Sequence, residues 1–200
     1  MSKNLQTGFF TIDGKRYYFD DETGKAITGL KYGERLGNTY YFQGADGVYC
    51  GLLEMEDGIR CFGETYGIMQ TGWKTVDGKK YYFDPDTGLA VQGFFTTGDY
   101  NNMYYSDGMN GLLTGWQTID DKEYYFGSDG IMFRGLTNIE GKRYYFDVDT
   151  GERYTEDGLL WIGDNACFYL LAEGGIYSGL KEVDGMLYLF SEWTGRAISG

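Results

Sequence analysis

Hydrophobic and polar residues alternate over runs of four or five positions, break at Asp- and Gly-rich turns, and the whole pattern returns every 20 to 23 residues. The clearest instance is Gly72 to Gln92, GWKTVDGKKYYFDPDTGLAVQ. A period of two places successive side chains on opposite faces, so Trp73 to Val76 and Lys80 to Asp84 are predicted strands. Asp77-Gly78 lies between them. A two-residue type I′ turn needs positive φ at both central positions, and Asp-Gly is a strong signal for it. The unit is therefore a β-hairpin followed by an Asp/Gly-rich return.

Nine such units open at Gly8, Gly29, Gly51, Gly72, Gly93, Gly115, Gly135, Gly158 and Gly179. Each is too small to enclose a core and must bury its apolar residues against its neighbours, which is the logic of a solenoid. The predicted fold is all-β: an elongated β-hairpin solenoid of about nine ~21-residue repeats. Residues 1–7 form a lead-in and residues 8–200 one repeat domain.

The second strand is the most regular part. It reads Tyr-Tyr-Phe at Tyr17, Tyr40, Tyr81, Tyr124 and Tyr144, and Tyr-Tyr-Ser at Tyr104. Alternation puts the first Tyr and the Phe on an inward face, with Tyr18, Tyr82, Tyr125 and Tyr145 on the other. The third, eighth and ninth copies align as Cys61-Phe62-Gly63, Cys167-Phe168-Tyr169 and Tyr188-Leu189-Phe190. The third and eighth are expected to be the weakest units. The residue after each opening glycine is always large and apolar: Phe9, Leu30, Leu52, Trp73, Phe94, Trp116, Leu136, Leu159 and Leu180. The glycine before it suggests positive φ or close backbone approach.

Composition narrows the chemistry. The net charge of −13 argues against nucleic acid and against anionic membrane surfaces, both of which want a basic face. No run of 18 apolar residues exists, so no membrane insertion is expected. The start, MSKNLQTGFF, lacks the apolar stretch of a signal peptide; the chain is expected to be a fragment of something larger, or to be exported through a part not shown. With no histidine, Ser-His-Asp and Cys-His catalysis and His metal sites are excluded. Cys50, Cys61 and Cys167 form no CxxC pair and read as small hydrophobes.

The returns Asp20-Asp21-Glu22-Thr23-Gly24, Asp84-Pro85-Asp86-Thr87-Gly88 and Asp147-Val148-Asp149-Thr150-Gly151 are acidic. Two match the start of a calcium loop, but the later ligands are missing, and Asp and Gly are ordinary turn residues. Paired carboxylates for glycoside hydrolysis would need a dry cleft that repeated exposed turns do not offer. No catalytic residue, metal or cofactor is expected.

With Gly-Trp, Asp-Gly-Lys, Tyr-Tyr-Phe-Asp and Thr-Gly in hand, the chain resembles the cell-wall-binding repeat superfamily. That group includes choline-binding modules of Gram-positive surface proteins, glucan-binding repeats of glucosyltransferases and C-terminal repeats of clostridial toxins. The resemblance spans Gly8 to Gly200. It implies ligand sites between adjacent hairpins and a non-catalytic role in a secreted or surface-attached bacterial protein. The implied partner is a polysaccharide or glycan of the cell wall or of a host.

Choline-binding repeats resemble GWxxxxGxWYY, where the Trp before the Tyr pair completes an aromatic cage. Here those positions read Arg16, Thr39, Arg60, Lys80, Met103, Glu123, Arg143, Ala166 and Leu187. None is aromatic and four are positive, which disfavours a cationic ligand. Candidate carbohydrate platforms are Trp73 and Trp116, with Tyr82 and Tyr125 as neighbours, Lys80 as a hydrogen-bond donor and Tyr145 as a further ring. A ligand-free structural spacer and a choline or teichoic-acid module are the alternatives. Exposed edges at either end leave stacking on another chain open.

Overall fold

The computed structural model describes residues 5–34, 37–98, 101–164 and 166–198. Among these, nineteen strands form nine antiparallel sheets, each a hairpin, with a single 3-10 turn at Gly44–Asp46. Hairpin 1 joins Gly8–Ile12 to Lys15–Phe19, hairpin 2 Thr28–Gly33 to Asn38–Gln43, and hairpin 3 Gly51–Met55 to Gly58–Phe62, with Met69–Gln70 as a third strand. Hairpin 4 joins Gly72–Val76 to Lys79–Phe83, hairpin 5 Gly93–Thr97 to Asn102–Ser106, and hairpin 6 Gly115–Ile119 to Lys122–Phe126. Hairpin 7 joins Gly135–Ile139 to Lys142–Phe146, hairpin 8 Gly158–Ile162 to Ala166–Leu170, and hairpin 9 Gly179–Val183 to Met186–Phe190. The fold is the β-hairpin solenoid that the repeat pattern predicts.

The turns carry the predicted geometry. Asp77 and Gly78 have φ of 49° and 77°, and Val76 pairs with Lys79 across them. Asp13-Gly14, Glu140-Gly141 and Asp184-Gly185 repeat it. In hairpin 6 the turn is Asp120-Asp121, with φ of 51° and 62°, so a non-glycine residue takes the second left-handed position. Every opening glycine except Gly158 needs its freedom for the same reason: Gly72 and Gly115, for example, sit at φ of 69° and 71°, although a Cβ there would meet nothing within 4 Å. The constraint is conformational rather than steric.

The chain divides into two compact units. One holds the residues up to Phe95 and Tyr105–Leu112; the other holds Thr96–Tyr104 and the residues from Leu113 on. The division passes through hairpin 5.

Within each unit the stacking follows one rule. The face carrying the first Tyr and the Phe packs back onto the previous hairpin, and the opposite face looks forward to the next. Tyr81 and Phe83 are buried in a cluster with Cys61 of hairpin 3, flanked by Leu52. Cys167 and Tyr169 cluster with Phe190 of hairpin 9. The return segments lock the stack: Val48 N–H donates to the Arg16 carbonyl, Leu112 to Lys80, and Arg153 to Glu123, at 2.7–2.8 Å. Each therefore joins a hairpin to the second strand of the one before it, satisfying backbone groups that a lone hairpin would leave open.

Two expected alignments are corrected by strand register. In hairpin 3, Gly51 faces Phe62 and Leu52 faces Cys61, so the Tyr-Tyr-Phe slots hold Arg60-Cys61-Phe62. In hairpin 8, Gly158 faces Leu170 and Leu159 faces Tyr169, giving Phe168-Tyr169-Leu170. The residues before the pair are thus Ile59 and Cys167, not Arg60 and Ala166. The cause is turn geometry, which sets register, and one residue of slip exchanges the faces. In both second strands four successive residues are buried. A small Cys stands on a forward face that the next hairpin closes tightly. Arg60, 7% exposed, reaches Asp57 in the turn through two guanidinium–carboxylate contacts of 2.7 and 2.8 Å.

Candidate functional site

The forward face builds the same small motif again and again. The residue after the opening glycine stands directly across from the second Tyr, so their rings meet edge to face. Phe9 and Tyr18 lie 5.0 Å apart at 85°, Trp73 and Tyr82 4.9 Å at 63°, and Trp116 and Tyr125 5.1 Å at 70°. Edge-to-face rings at such separations are attractive beyond their buried area.

The Trp73 cleft brings together three predicted residues and one that was not predicted. Lys80 places its ammonium 4.5 Å from the Trp73 ring centre, and Phe95 of hairpin 5 stacks on Tyr82 at 5.6 Å. Trp73, Tyr82 and Phe95 are half-buried and Lys80 is exposed.

The Trp116 cleft brings Trp116 and Tyr125 together and adds Tyr144 and Phe146 of hairpin 7, at 4.8 and 5.9 Å from the indole. The Arg153 guanidinium lies 5.9 Å from Trp116 and 5.8 Å from Tyr144. Its Nε meets the Glu123 carboxylate at 2.5 Å, and its Nη2 donates to the Ala172 carbonyl at 3.2 Å. Trp116 remains 41% exposed. Arg153 lies outside the expected set, because it comes from the return segment and not from the strand position before the Tyr pair.

Tyr145 stands apart from both. It faces Leu136 across the hairpin and meets Tyr154 at 6.5 Å. Burial, with Asp147 nearby, pushes its hydroxyl pKa up. Tyr154 lines an open hollow of about 430 Å³ with Asp147, Thr150, Glu152 and Arg153.

A third cleft, also unforeseen, lies between hairpins 1 and 2. Phe9, Tyr18 and Tyr32 line about 530 Å³ with Asp21, Lys31 and Glu34. Tyr32 is 56% exposed. The Tyr18 hydroxyl donates to Asp21 at 2.7 Å, a bond that, ahead of its burial, raises the Tyr18 pKa. Lys31 stands 4.8 Å over the Tyr18 ring. The available signal was Phe9 in the Trp slot, followed one copy later by Leu30-Lys31-Tyr32.

The charged residues before the Tyr pair act as struts between hairpins. Arg16 lies over Phe9 and Tyr40 and donates to the Tyr66 carbonyl at 3.0 Å, two hairpins on. Arg143 likewise donates to the Thr194 carbonyl of hairpin 9's return. The acidic returns are held from within: the Asp84 carboxylate accepts from the N–H groups of Asp86 and Thr87 and from the Thr87 hydroxyl at 2.8–3.1 Å.

Residues 113–157 match the choline-binding repeat model, and residues 7–26 and 71–86 match the putative cell wall binding repeat model. Glucosyltransferase-S of Streptococcus mutans serotype c is 30% identical over 68% of this chain and 8% of its own length. Glucosyltransferase-I of Streptococcus downei is 31% identical over 85% of this chain and 12% of its own. The chain belongs to the cell-wall-binding repeat superfamily. Choline binding protein F of Streptococcus pneumoniae, solved in the presence of a peptidoglycan analogue, is 26% identical, with a TM-score of 0.67 over 97% of this chain and 80% of that one. The chain spans about a tenth of the length of the curated glucosyltransferases it matches. In this superfamily member all three aromatic clefts fall on segments that the repeat models cover at least in part.

Proposed function

We propose that the nine hairpins from Gly8 onward act as one non-catalytic binding domain for a polysaccharide of the cell wall or of the glucan type. On this reading the protein that carries it is secreted or held at a Gram-positive cell surface. The observation that supports it is the recurrence of one aromatic pair on the forward faces of hairpins 1, 4, 5 and 6, at Phe9–Tyr18, Trp73–Tyr82, Phe94–Tyr105 and Trp116–Tyr125. A ring face that stays open to solvent offers a sugar a stacking surface, and neighbouring carboxylates and ammonium groups offer hydrogen bonds.

The cleft of Phe9, Tyr18 and Tyr32 fits best. Its volume lies within the range of small-ligand sites, and Asp21, Glu34 and Lys31 line it beside the rings. Trp73 with Lys80 and Tyr82, and Trp116 with Tyr125, are proposed as further platforms, and Tyr145 as a flanking ring. The non-catalytic reading is supported by the acidic returns, where Asp20, Asp84 and Asp147 spend their carboxylates on their own loops at solvent-facing positions.

Sedimentation with purified Gram-positive cell walls and with insoluble α-glucan tests this, alongside a glycan array. Retention on at least one polysaccharide, weakened by Tyr32→Ala or Trp73→Ala with unchanged circular dichroism, is the expected result. Passage through every polysaccharide tested would favour a ligand-free spacer.

A further inference from the structure

Aromatic rings and a carboxylate around one space describe a cation cage, and the Trp116 cleft has those parts. Trp116 and Tyr144 supply the rings that face the cation, Tyr125 packs edge to face on Trp116 behind them, and Glu123 supplies the carboxylate. The space holds a cation already. The Arg153 side chain is 13% exposed, and its guanidinium sits within 6 Å of two ring centres, the range in which a cation is drawn to the negative face of an aromatic ring. It is held at two points: Nε is ion-paired with the Glu123 carboxylate and Nη2 donates to the Ala172 carbonyl, while the Arg153 backbone N–H donates to the Glu123 carbonyl at 2.7 Å and fixes the segment that carries it.

We propose that Arg153 is a built-in cation that occupies the Trp116–Tyr144 cage and makes this cleft refuse quaternary ammonium ligands. Glu123 stands at the strand position before the Tyr pair, where an additional ring would close the cage further. Here that position carries instead the anion that anchors the guanidinium. The device is not confined to this cleft. Lys80 lies over Trp73, Arg16 over Phe9 and Tyr40, and Lys181 over Tyr169 and Tyr177, at 4.2–5.5 Å. Arg153 is the member ion-paired with a carboxylate of the preceding hairpin, and it lies inside the segment matching the choline-binding repeat. An intramolecular cation has no translational entropy to lose and is held at high effective concentration, so a soluble ammonium cannot compete with it at ordinary concentrations.

The proposal concerns ammonium ligands and stands whether or not a polysaccharide binds elsewhere. Choline chloride is titrated against the full chain by calorimetry, with sodium chloride matched, and the Trp116 indole N–H signal is followed by NMR. Wild type should show no saturable binding. Arg153→Ala opens the cage and leaves Glu123 facing it, so binding should tighten at least about tenfold and shift the Trp116 signal. Arg153→Lys keeps a cation and should stay silent, and Glu123→Gln/Arg153→Ala should bind more weakly than Arg153→Ala. Should Arg153→Ala lose its near-UV dichroism, Arg153→Met, which keeps the apolar stem, carries the same reading. Saturable wild-type binding that shifts Trp116, or a folded Arg153→Ala or Arg153→Met that binds no choline, overturns the proposal.

Discussion

At the scale of single residues, buried thiols and hydrogen-bonded carboxylates give two direct tests. Burial raises the pKa of Cys61 and of Cys167 and shields both from reagent, whereas Cys50 is exposed. A thiolate is the reactive form. Ellman's reagent at pH 8 should therefore titrate one thiol quickly in the native protein and all three in denaturant. Two fast native thiols would contradict the placement of Cys61 or Cys167 between hairpins. Asp84 and Asp147 are held below the usual carboxylate range by the N–H and hydroxyl of the Thr three residues on, and Asp20 by the hydroxyl and N–H of Thr23. A folded pKa below the unfolded one contributes stability that is present above the unfolded value and lost as pH falls through the folded one. The melting temperature should therefore drop below about pH 4. Asp20→Asn/Asp84→Asn/Asp147→Asn should lower it at pH 7 and flatten the acid slope, measured by circular dichroism. An unchanged slope would mean that other carboxylates carry the acid sensitivity.

At the scale of the hairpin, the local features are legible in the sequence and two non-local ones are not. Asp-Gly turns, alternating strands and the burial of the first Tyr and the Phe could be read directly, because a type I′ turn and a two-residue period are local properties. Copies three and eight slip by one residue because their loops are not where the pattern places them: in copy three Gly58 of Asp57-Gly58 already belongs to the second strand, and in copy eight the loop is one residue longer. Glu56-Asp57 closes hairpin 3, and hairpin 8 pairs Ile162 with Ala166 across three residues. Register follows the turn, and a Cys-Phe match in the strand was a poor substitute for it. Arg153 was hidden for a different reason: its position over Trp116 depends on how a return segment crosses back onto the preceding hairpin, which no strand pattern encodes. The turn chemistry also makes a forecast. Asp121 holds φ of 62° without being glycine. Asp121→Gly removes the left-handed penalty at that position and should raise stability by about 0.5–1 kcal/mol. Gly78→Val, at φ of 77°, should lower it by more than that. Urea unfolding compares them, and a destabilised Asp121→Gly would show that the Asp121 side chain matters more than its backbone angle.

At the scale of the whole molecule, repetition governs how binding should look. One forward-face cleft is shallow, since its rings are partly spent on packing against the next hairpin, and a monosaccharide in it should bind weakly. The same cleft recurs, with Trp73 in one unit and Trp116 in the other. A polymer that reaches two clefts turns the second contact into an intramolecular one, and its affinity should exceed that of the monosaccharide by at least about tenfold. Trp73→Ala and Trp116→Ala should each weaken polymer binding several-fold. The double variant should fall towards the single-site level, while the weak monosaccharide affinity changes little. The charge of −13 adds a condition: a strongly anionic polymer meets net repulsion, so its binding should improve as salt rises, while a neutral glucan should be nearly indifferent to salt. Calorimetry on the four proteins with a neutral glucan and its monosaccharide, at low and high salt, covers each of these outcomes. Equal affinity for monomer and polymer, or equal binding by wild type and the double variant, would remove the Trp clefts from the binding surface. The Phe9–Tyr18–Tyr32 cleft would then be the platform to test next.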